Sequence, residues 1–263
     1  MGAPSLFTLK KRFGQHFLTN RSILQRIVQL AHVSSEDTVV EIGPGKGTLT
    51  TALASVSRRV IAIEIDRDLV PRLRANMPAN VEILEGDALK IDLPREPFHI
   101  VSNLPYNVAT PLFKRFIEHR NRISAVTVMI QKEVAERLAA KPRTKAYGPL
   151  SVPIQYYANV TYGFTVPPGA LSPAPKVDSA VIRVEWKPDV PNATPFTDFA
   201  HQAFSSRRKT LANNLLSMFG SLGRDEILRG LQQAGIDINA RPEELSVTEF
   251  LRVYNQFNDR PDT

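Results

Sequence analysis

The 263-residue chain contains no cysteine, and this absence excludes several kinds of chemistry. Disulfide bridges, thiolate zinc sites and cysteine nucleophiles are ruled out, and the composition fits a reducing compartment. No apolar run approaches the roughly 18 residues that a membrane span requires. The first residues also lack the apolar core and the cleavage site of a secretory signal. The sequence therefore predicts a cytoplasmic protein with no membrane partner.

Positive charge is unevenly distributed along the chain. The net charge is +7, with +8 on residues 1–186 and −1 on residues 187–263. Basic surface supplies the salt-dependent part of nucleic-acid affinity, so the charge favours a polyanionic partner. A surface that only aids solubility explains it equally well. Residues 10–18, K-K-R-F-G-Q-H-F-L, suit a basic arm laid against phosphates and a bound ring, or a frayed terminus with an apolar anchor.

A glycine-rich turn follows the first buried strand that the sequence predicts. Residues 38–42, T-V-V-E-I, run into G-P-G-K-G and then into an apolar helix. Glycines such as Gly43 and Gly45 allow positive φ and a close approach of a ligand to the backbone. The spacing is one residue tighter than the dinucleotide fingerprint. Glu41, two residues ahead of the turn, disfavours a pyrophosphate there and favours a cationic ligand.

Acidic residues end the next two predicted strands. Residues 60–65 contain Glu64, which is placed to accept both hydrogen bonds of a ribose diol. Residues 81–84 precede Asp87, which would accept from an adenine amino group or cap the next turn. Because parallel strands present their carboxyl ends at one edge of a sheet, these acids and the glycine turn predict a nucleoside-type cofactor site.

The fourth strand end has an unusual combination of residue types. The apolar run 98–101 leads into V-S-N-L-P-Y-N at 101–107, just before an amphipathic run at 111–117. An amide, a rigid backbone and an aromatic ring follow one another here, in Asn103, Leu104, Pro105 and Tyr106. A capped turn with a packed tyrosine is the plain structural alternative.

Our chemical hypothesis is that this stretch holds an adenine whose amino group receives a methyl group. The Asn103 oxygen and a backbone carbonyl of Leu104 or Pro105 would accept the two amino hydrogens, so that the nitrogen lone pair points at a sulfonium methyl. Tyr106 and Phe164 would clamp the flipped base from opposite sides. The hypothesis needs neither a metal nor a covalent enzyme intermediate.

The second half of the chain predicts more strands and then a helical tail. Strands are predicted over 125–130, 156–166 and 179–186, with a stiff proline-rich bridge at 167–175. A linker-like composition begins at 187, which predicts domains 1–186 and 187–263. The tail contains S-S-R-R-K-T, whose cations are predicted to touch nucleic acid: Arg207, Arg208 and Lys209.

Taken in order, these motifs closely resemble the ribosomal RNA adenine N6,N6-dimethyltransferases of the KsgA type. The resemblance covers essentially the whole chain and rests on F-G-Q-H-F-L, E-I-G-P-G-K-G, E-I-D, G-D-A, N-L-P-Y, P-A-P-K-V-D-S and S-S-R-R-K-T. It implies an α/β, Rossmann-like class I methyltransferase with a seven-stranded, mostly parallel sheet and a small all-α C-terminal domain. The implied cofactor is S-adenosylmethionine. The implied substrate is a pair of adjacent adenines in the 3′-terminal hairpin loop of small-subunit ribosomal RNA. The implied partner is an immature 30S particle, to which the protein would bind as a monomer during ribosome biogenesis.

The family's site residues carry over by motif. The resemblance implies cofactor contacts at His16, Leu18, Gly43, Gly45, Glu64, Asp87 and Asn103. The chain departs from the family at His16, where many members have asparagine. A contact made through the backbone of residue 16 would survive that change, whereas a side-chain amide contact would not.

Three other functions remain open at this stage. The Erm-type methyltransferases of large-subunit ribosomal RNA share most motifs, but N-L-P-Y and S-S-R-R-K-T favour the small subunit. A non-catalytic RNA-binding assembly factor on the same fold is disfavoured by the intact Glu41, Glu64 and Asp87. DNA adenine methylation is disfavoured because N-P-P-Y or D-P-P-Y is more usual there.

Overall fold

A computed structural model describes residues 16–191 and 194–258 of the chain. The strands are β1 (Phe17–Leu18), β2 (Thr38–Ile42), β3 (Arg59–Glu64), β4 (Val81–Glu85), β5 (Phe98–Asn103), β6 (Ile123–Gln131), β7 (Ala158–Val166), β8 (Leu171–Ser172) and β9 (Ser179–Trp186). The helices are α1 (Arg21–Ala31), α2 (Thr48–Ala54), α3 (Val70–Asn76), α4 (Ala109–Glu118), α5 (Lys132–Leu138), α6 (Ser151–Tyr157), α7 (Thr194–Ala203), α8 (Leu211–Met218), α9 (Arg224–Gln233) and α10 (Val247–Asn258).

Seven of these strands form one sheet in the order β4-β3-β2-β5-β6-β9-β7. The neighbours from β4 to β6 are parallel, and β9 runs antiparallel to β6. The predicted seven-stranded, mostly parallel α/β fold is confirmed. The chain adds β3 and β4 on one side of β2 and then returns to add β5 and β6 on the other. Such a reversal opens a crevice at the carboxyl ends of the two central strands, which is where doubly wound folds bind ligands.

The central strands form where β-branched and apolar residues occur without interruption. All five residues of β2 are buried, as expected for a parallel strand covered on both faces. Val40 pairs with Ile61 of β3 on one side and with Ile100 of β5 on the other. Helix α1 packs on this sheet through Ile23, Leu24 and Ile27, which recur at helical spacing.

A two-stranded sheet joins the start of the described chain to the proline-rich bridge. Strands β1 and β8 are antiparallel, with Phe17 opposite Ser172 and Leu18 opposite Leu171. A 3-10 turn, Pro168–Ala170, precedes β8, and the Ala170 carbonyl accepts a hydrogen bond from the Thr19 amide at 3.1 Å. The bridge therefore contains regular structure that the sequence did not predict.

The described chain divides into two compact units. One falls within Met1–Ala135 and Thr161–Trp186, and the other within Glu136–Val160 and Lys187–Thr263. This division separates Trp186 from Lys187, where the sequence predicts its boundary, but it groups 136–160 with the tail, so the division into 1–186 and 187–263 stays a prediction.

The predicted strand over 156–166 is wrong at its beginning. Tyr156 and Tyr157 end helix α6, and the strand begins only at Ala158. The Tyr156 ring packs on Phe196 of α7 with 4.6 Å between the ring centroids. This aromatic packing decides the conformation of two residues whose own preference is for strands.

The tail is helical, as predicted. Aromatic side chains that directly follow α7 and α8 pack on α10, with the Phe204 and Phe250 rings stacked at 5.4 Å and the Phe219 and Phe257 rings also at 5.4 Å. Within the described ranges, no helix is long and apolar enough to cross a membrane.

Candidate active site

A cavity of about 320 Å³ lies in the first unit at the carboxyl ends of the parallel strands. This volume is within the range of small-molecule sites. The cavity brings together ten residues that the sequence proposes as cofactor-binding or catalytic: His16, Leu18, Gly43, Gly45, Glu64, Asp87, Asn103, Leu104, Pro105 and Tyr106.

The glycine turn forms one wall and needs glycine for two reasons. Gly43 and Gly45 have φ values of +69° and +58°, in the left-handed region that side chains disfavour. A Cβ atom on Gly45 would also lie 2.7 Å from the ring of Phe17 in β1. The turn can therefore follow β2 closely only because these positions carry no side chain.

Glu64, the last residue of β3, fixes the turn to the neighbouring strand. One carboxylate oxygen accepts a hydrogen bond from the Gly45 amide at 3.3 Å, and the other accepts from the Asp66 amide at 2.8 Å. Burial raises the pKa of Glu64 above its ordinary value, and these hydrogen bonds oppose the increase. The carboxylate is thus held rigidly at the tip of β3.

Glu41 differs because one of its two buried carboxyl oxygens has no partner in the described chain. The side chain is 2% exposed and lines the cavity, and its Oε2 atom has no hydrogen-bond partner among the described residues. Burial raises the pKa of Glu41 to about 8, and the negative charge of Glu64 adds to the increase. A buried carboxyl group without a partner costs free energy, which a bound cationic group would recover.

Asp87 has the capping role that the sequence offered as the structural alternative. Its Oδ1 atom accepts a hydrogen bond from the Leu89 amide at 2.9 Å, and its carbonyl accepts from the Lys90 and Ile91 amides at 2.8 and 2.9 Å. The predicted capping contact is therefore present. Because a carboxylate has two oxygens, capping is compatible with contact to a ligand in the cavity that Asp87 lines.

Asn103 ends β5, and its amide group is held by a distant residue. The Nδ2 atom donates a hydrogen bond to the carbonyl of His16 at 2.8 Å, across 87 positions of sequence. This bond assigns the donor side of the amide to the protein and leaves Oδ1 as the acceptor. This hydrogen bond therefore joins Asn103 to a distant part of the backbone and does not cap its own turn.

The two residues after Asn103 form the predicted turn. The Leu104 amide donates to the Met129 carbonyl at 3.0 Å, and the Pro105 carbonyl accepts from the Val108 amide at 3.2 Å. The turn thus begins in the sheet and ends at α4, with its carbonyl groups in fixed positions beside the cavity.

Tyr106 is half-buried and held at its hydroxyl end. The hydroxyl forms a hydrogen bond of 2.5 Å with Ser179 Oγ, and burial raises the pKa of the phenol. The sequence analysis missed Ser179, whose position in P-K-V-D-S, at the start of β9, was the available signal.

The structure does not bring Phe164 to this cavity. The Phe164 ring packs against the core cluster beneath α1, and the Arg26 guanidinium lies 3.7 Å from the ring centroid. The alternation of side chains along β7 places it there, so Phe164 does not line this cavity and its contact with a base stays a prediction.

The predicted nucleic-acid contacts lie elsewhere. Exposed residues of the second unit form the basic turn of Arg207, Arg208 and Lys209, in which Arg207 donates to the Lys145 carbonyl at 2.8 Å. The basic arm at 10–12 and residues 13–15 of the first motif lie outside the described residues. In the part of the chain that the structure describes, no three histidine or carboxylate side chains cluster as a metal ion would need.

This sheet, with its glycine turn, acidic strand ends and asparagine-containing turn around one cavity, defines a Rossmann-like methyltransferase. Comparison of the sequence with known families gives a more particular result. The chain belongs to the family described as ribosomal RNA adenine dimethylase, which matches residues 6–259.

Two named relatives agree with this membership. The chain is 42% identical over 262 residues to the ribosomal RNA small subunit methyltransferase A of Lactococcus lactis, covering 94% of this chain and 89% of that protein. It is 43% identical over 263 residues to the protein of the same name from Shouchella clausii, with the same coverage.

Solved structures support the fold. A dimethyladenosine transferase from Plasmodium falciparum superposes with a TM-score of 0.83 at 28% identity, covering 93% of this chain and 98% of that one. The 23S rRNA methyltransferase ErmE superposes with a TM-score of 0.72 at 27% identity, covering 92% of this chain and 99% of that one.

Proposed function

We propose that the chain uses S-adenosylmethionine to dimethylate N6 of two adjacent adenines in the 3′-terminal hairpin loop of small-subunit ribosomal RNA. The observation that carries this proposal is the hydrogen bond from Asn103 Nδ2 to the His16 carbonyl, which leaves Oδ1 as the free acceptor of a side chain that lines the cavity. The names of the bacterial relatives at 42–43% identity support the small subunit as the source of the RNA.

The cavity fits S-adenosylmethionine on the strength of its own residues. The unpaired, buried Glu41 suits the ammonium group of the methionine part. Glu64, held at the end of β3, would accept a ribose diol, and Asp87, which lines the same cavity, would accept from an adenine amino group. When bound, the cofactor supplies an electrophilic methyl group on a sulfonium centre.

The protein's task at the acceptor is to orient a weak nucleophile. The lone pair of an adenine amino group is delocalised into the ring, so two hydrogen-bond acceptors are needed to draw the nitrogen toward a tetrahedral geometry. Asn103 Oδ1 is one acceptor. The Leu104 carbonyl is the better second one, because the Pro105 carbonyl already accepts from Val108.

The Tyr106 ring offers a face for the flipped base. Flipping is inexpensive in a hairpin loop, whose bases are not constrained by a duplex. The contact between Phe164 and the base, the RNA contacts of Arg207, Arg208 and Lys209, the immature 30S particle as partner, the monomeric state and the cytoplasmic location all remain predictions.

The substrate is tested by offering three nucleic acids to the protein. Labelled S-adenosylmethionine is incubated with small ribosomal subunits that lack the modification, with large subunits and with duplex DNA, and the modified nucleoside is identified by mass spectrometry. We expect N6,N6-dimethyladenosine in the small subunits alone. Label in large subunits would favour the activity named for ErmE, and label in DNA or in no sample would also overturn the proposal.

A further inference from the structure

One residue of the cavity, His16, contacts three separate parts of the acceptor site. Its carbonyl accepts the hydrogen bond from Asn103 Nδ2 at 2.8 Å. Its imidazole Nδ1 lies 2.7 Å from the carbonyl of Pro173. Its ring lies next to Tyr106, with 5.5 Å between the centroids and a tilt of 30°. These contacts join the start of the described chain to the catalytic turn and to the proline-rich bridge.

The contact with Pro173 fixes the chemical state of the imidazole. A carbonyl oxygen accepts hydrogen bonds and cannot donate them, so Nδ1 must carry the hydrogen. The ring is thereby anchored to the bridge, and the anchor holds the backbone of residue 16 where its carbonyl meets Asn103. The side chain of His16 thus controls the amide of Asn103 through the main chain between them.

The same ring supports Tyr106. The phenol is held by Ser179 at its hydroxyl end and by the His16 ring beside it. Neighbouring aromatic rings at this spacing attract one another and restrict each other's rotation. The sequence analysis expected Phe164 to be the ring that works with Tyr106, but His16 is the one that lies next to it.

We propose that His16 is a positioning residue for methyl transfer, which holds the Asn103 amide and the Tyr106 ring in register for the acceptor amine. This inference rests on the function proposed above. It differs from the cofactor contact that the family resemblance implies for residue 16, because it assigns the side chain to the rate of transfer instead of to cofactor affinity.

Three variants of His16 separate its two contacts. His16→Ala removes both the hydrogen bond to Pro173 and the ring. His16→Asn keeps a donor, because Asn Nδ2 lies the same number of bonds from Cα as His Nδ1, but it removes the ring. His16→Phe keeps a ring and removes the donor. His201→Ala, at an exposed position of α7, is the matched control for the loss of a histidine.

The measurements are single-turnover methyl transfer to small subunits at saturating S-adenosylmethionine, cofactor affinity by calorimetry, and melting temperature. We expect His16→Ala to slow transfer by about tenfold to a hundredfold, the range that a small misplacement of reacting groups produces. Its cofactor Kd should change by less than about threefold, well under the tenfold that 1.4 kcal/mol represents. His16→Asn should recover most of the lost rate, and His201→Ala should match the wild type.

Several results would overturn the inference. A full rate for His16→Ala contradicts it, and so does a loss of cofactor affinity at an unchanged rate, which would make His16 a cofactor contact. A His16→Asn variant no faster than His16→Phe contradicts the anchoring role, and this comparison decides the question even when His16→Ala fails to fold. If the wild type itself does not methylate small subunits, the proposed function fails. If His16→Ala is fully active, the inference about His16 fails but the proposed function stands.

Discussion

Among the residues of the site, Glu41 gives the most specific expectation for how ligand binding depends on pH. Its pKa of about 8 means that the carboxyl group is mostly protonated at neutral pH when the cavity is empty. A cationic ligand pairs only with the deprotonated form, so binding at neutral pH must release a proton. Affinity for such a ligand therefore rises as pH increases toward about 8, as long as the ligand keeps its positive charge.

Pairing with Glu41 predicts that the affinity for S-adenosylmethionine depends on pH. For the wild type, the Kd should fall with rising pH from 6 to 8, by at most about tenfold per unit. The isosteric variant Glu41→Gln should bind more weakly and lose this dependence. Calorimetry in buffers of different ionisation enthalpy measures both the Kd and the proton release. A wild-type Kd that is independent of pH, with no proton released, contradicts the pairing.

Variants of Tyr106 distinguish a role of its ring in binding the base from a role in packing the turn. Tyr106→Ala should reduce RNA methylation by about tenfold or more, since stacking on one base is worth about 1–3 kcal/mol, and should lower the melting temperature only slightly. Tyr106→Phe keeps the ring, loses the hydrogen bond to Ser179 and should lie between Tyr106→Ala and the wild type. A different result would favour a plain packed turn. Tyr106→Ala would then lose much thermal stability but keep its activity per folded molecule.

At the scale of elements, the glycine turn between β2 and α2 depends on its close approach to β1. Gly45→Ala places a Cβ atom 2.7 Å from Phe17 at a φ of +58°, so β1 or the turn must move. We expect cofactor affinity to fall by at least tenfold while the chain still folds, because the clash is confined to the cavity wall. Gly169→Ala is the control, because a Cβ atom there has no atom within 4 Å. Calorimetry and thermal melting of both variants check this, and equal affinities would contradict it.

The same elements show how much of the fold and the site the sequence can predict. The ends of β2, β3 and β5 are predictable because buried β-branched runs stop at glycine, acidic or amide residues, which local periodicity reveals. The pairing of β1 with β8 is not predictable in this way, since it joins segments more than 150 positions apart and each strand has two residues. The hydrogen bond from Asn103 to His16 is not predictable from local sequence either, because the two residues are 87 positions apart.

Two differences from the sequence predictions have a more local origin. The aromatic and β-branched residues around Tyr156 indicate a strand, whereas the segment is a helix in which Tyr156 packs on Phe196. Phe164 was assigned to the cavity because it precedes the proline-rich bridge. A strand directs successive side chains to opposite faces, and the face that carries Phe164 meets α1.

At the scale of the whole molecule, the grouping of 136–160 with the tail predicts that a fragment without the tail is less stable. In this unit Tyr147 packs on Phe204 and Tyr156 packs on Phe196, and both tyrosines are buried. A fragment of residues 1–186 lacks both phenylalanines and exposes these apolar faces, which invites aggregation.

We therefore expect the 1–186 fragment to melt at a lower temperature than the full chain and to bind a hydrophobic dye such as ANS. The full chain measured under the same conditions is the reference. Chemical-shift mapping of the fragment would locate the disturbed residues, which should concentrate within 136–160. A fragment with the same melting temperature as the full chain and no dye binding would instead support 1–186 as an independent domain.

In the function proposed above, Asn103 holds the acceptor amine, and the cofactor site does not depend on it. The most direct test of this claim is single-turnover methyl transfer by Asn103→Ala to small ribosomal subunits at saturating S-adenosylmethionine, with the cofactor Kd measured on the same protein. We predict that transfer slows by about a hundredfold to a thousandfold, the usual cost of removing one preorganised polar group at a reacting centre, while the Kd changes by less than about threefold, well short of the tenfold that 1.4 kcal/mol represents. Transfer at the wild-type rate, or a loss of activity explained by weaker cofactor binding, would contradict the claim.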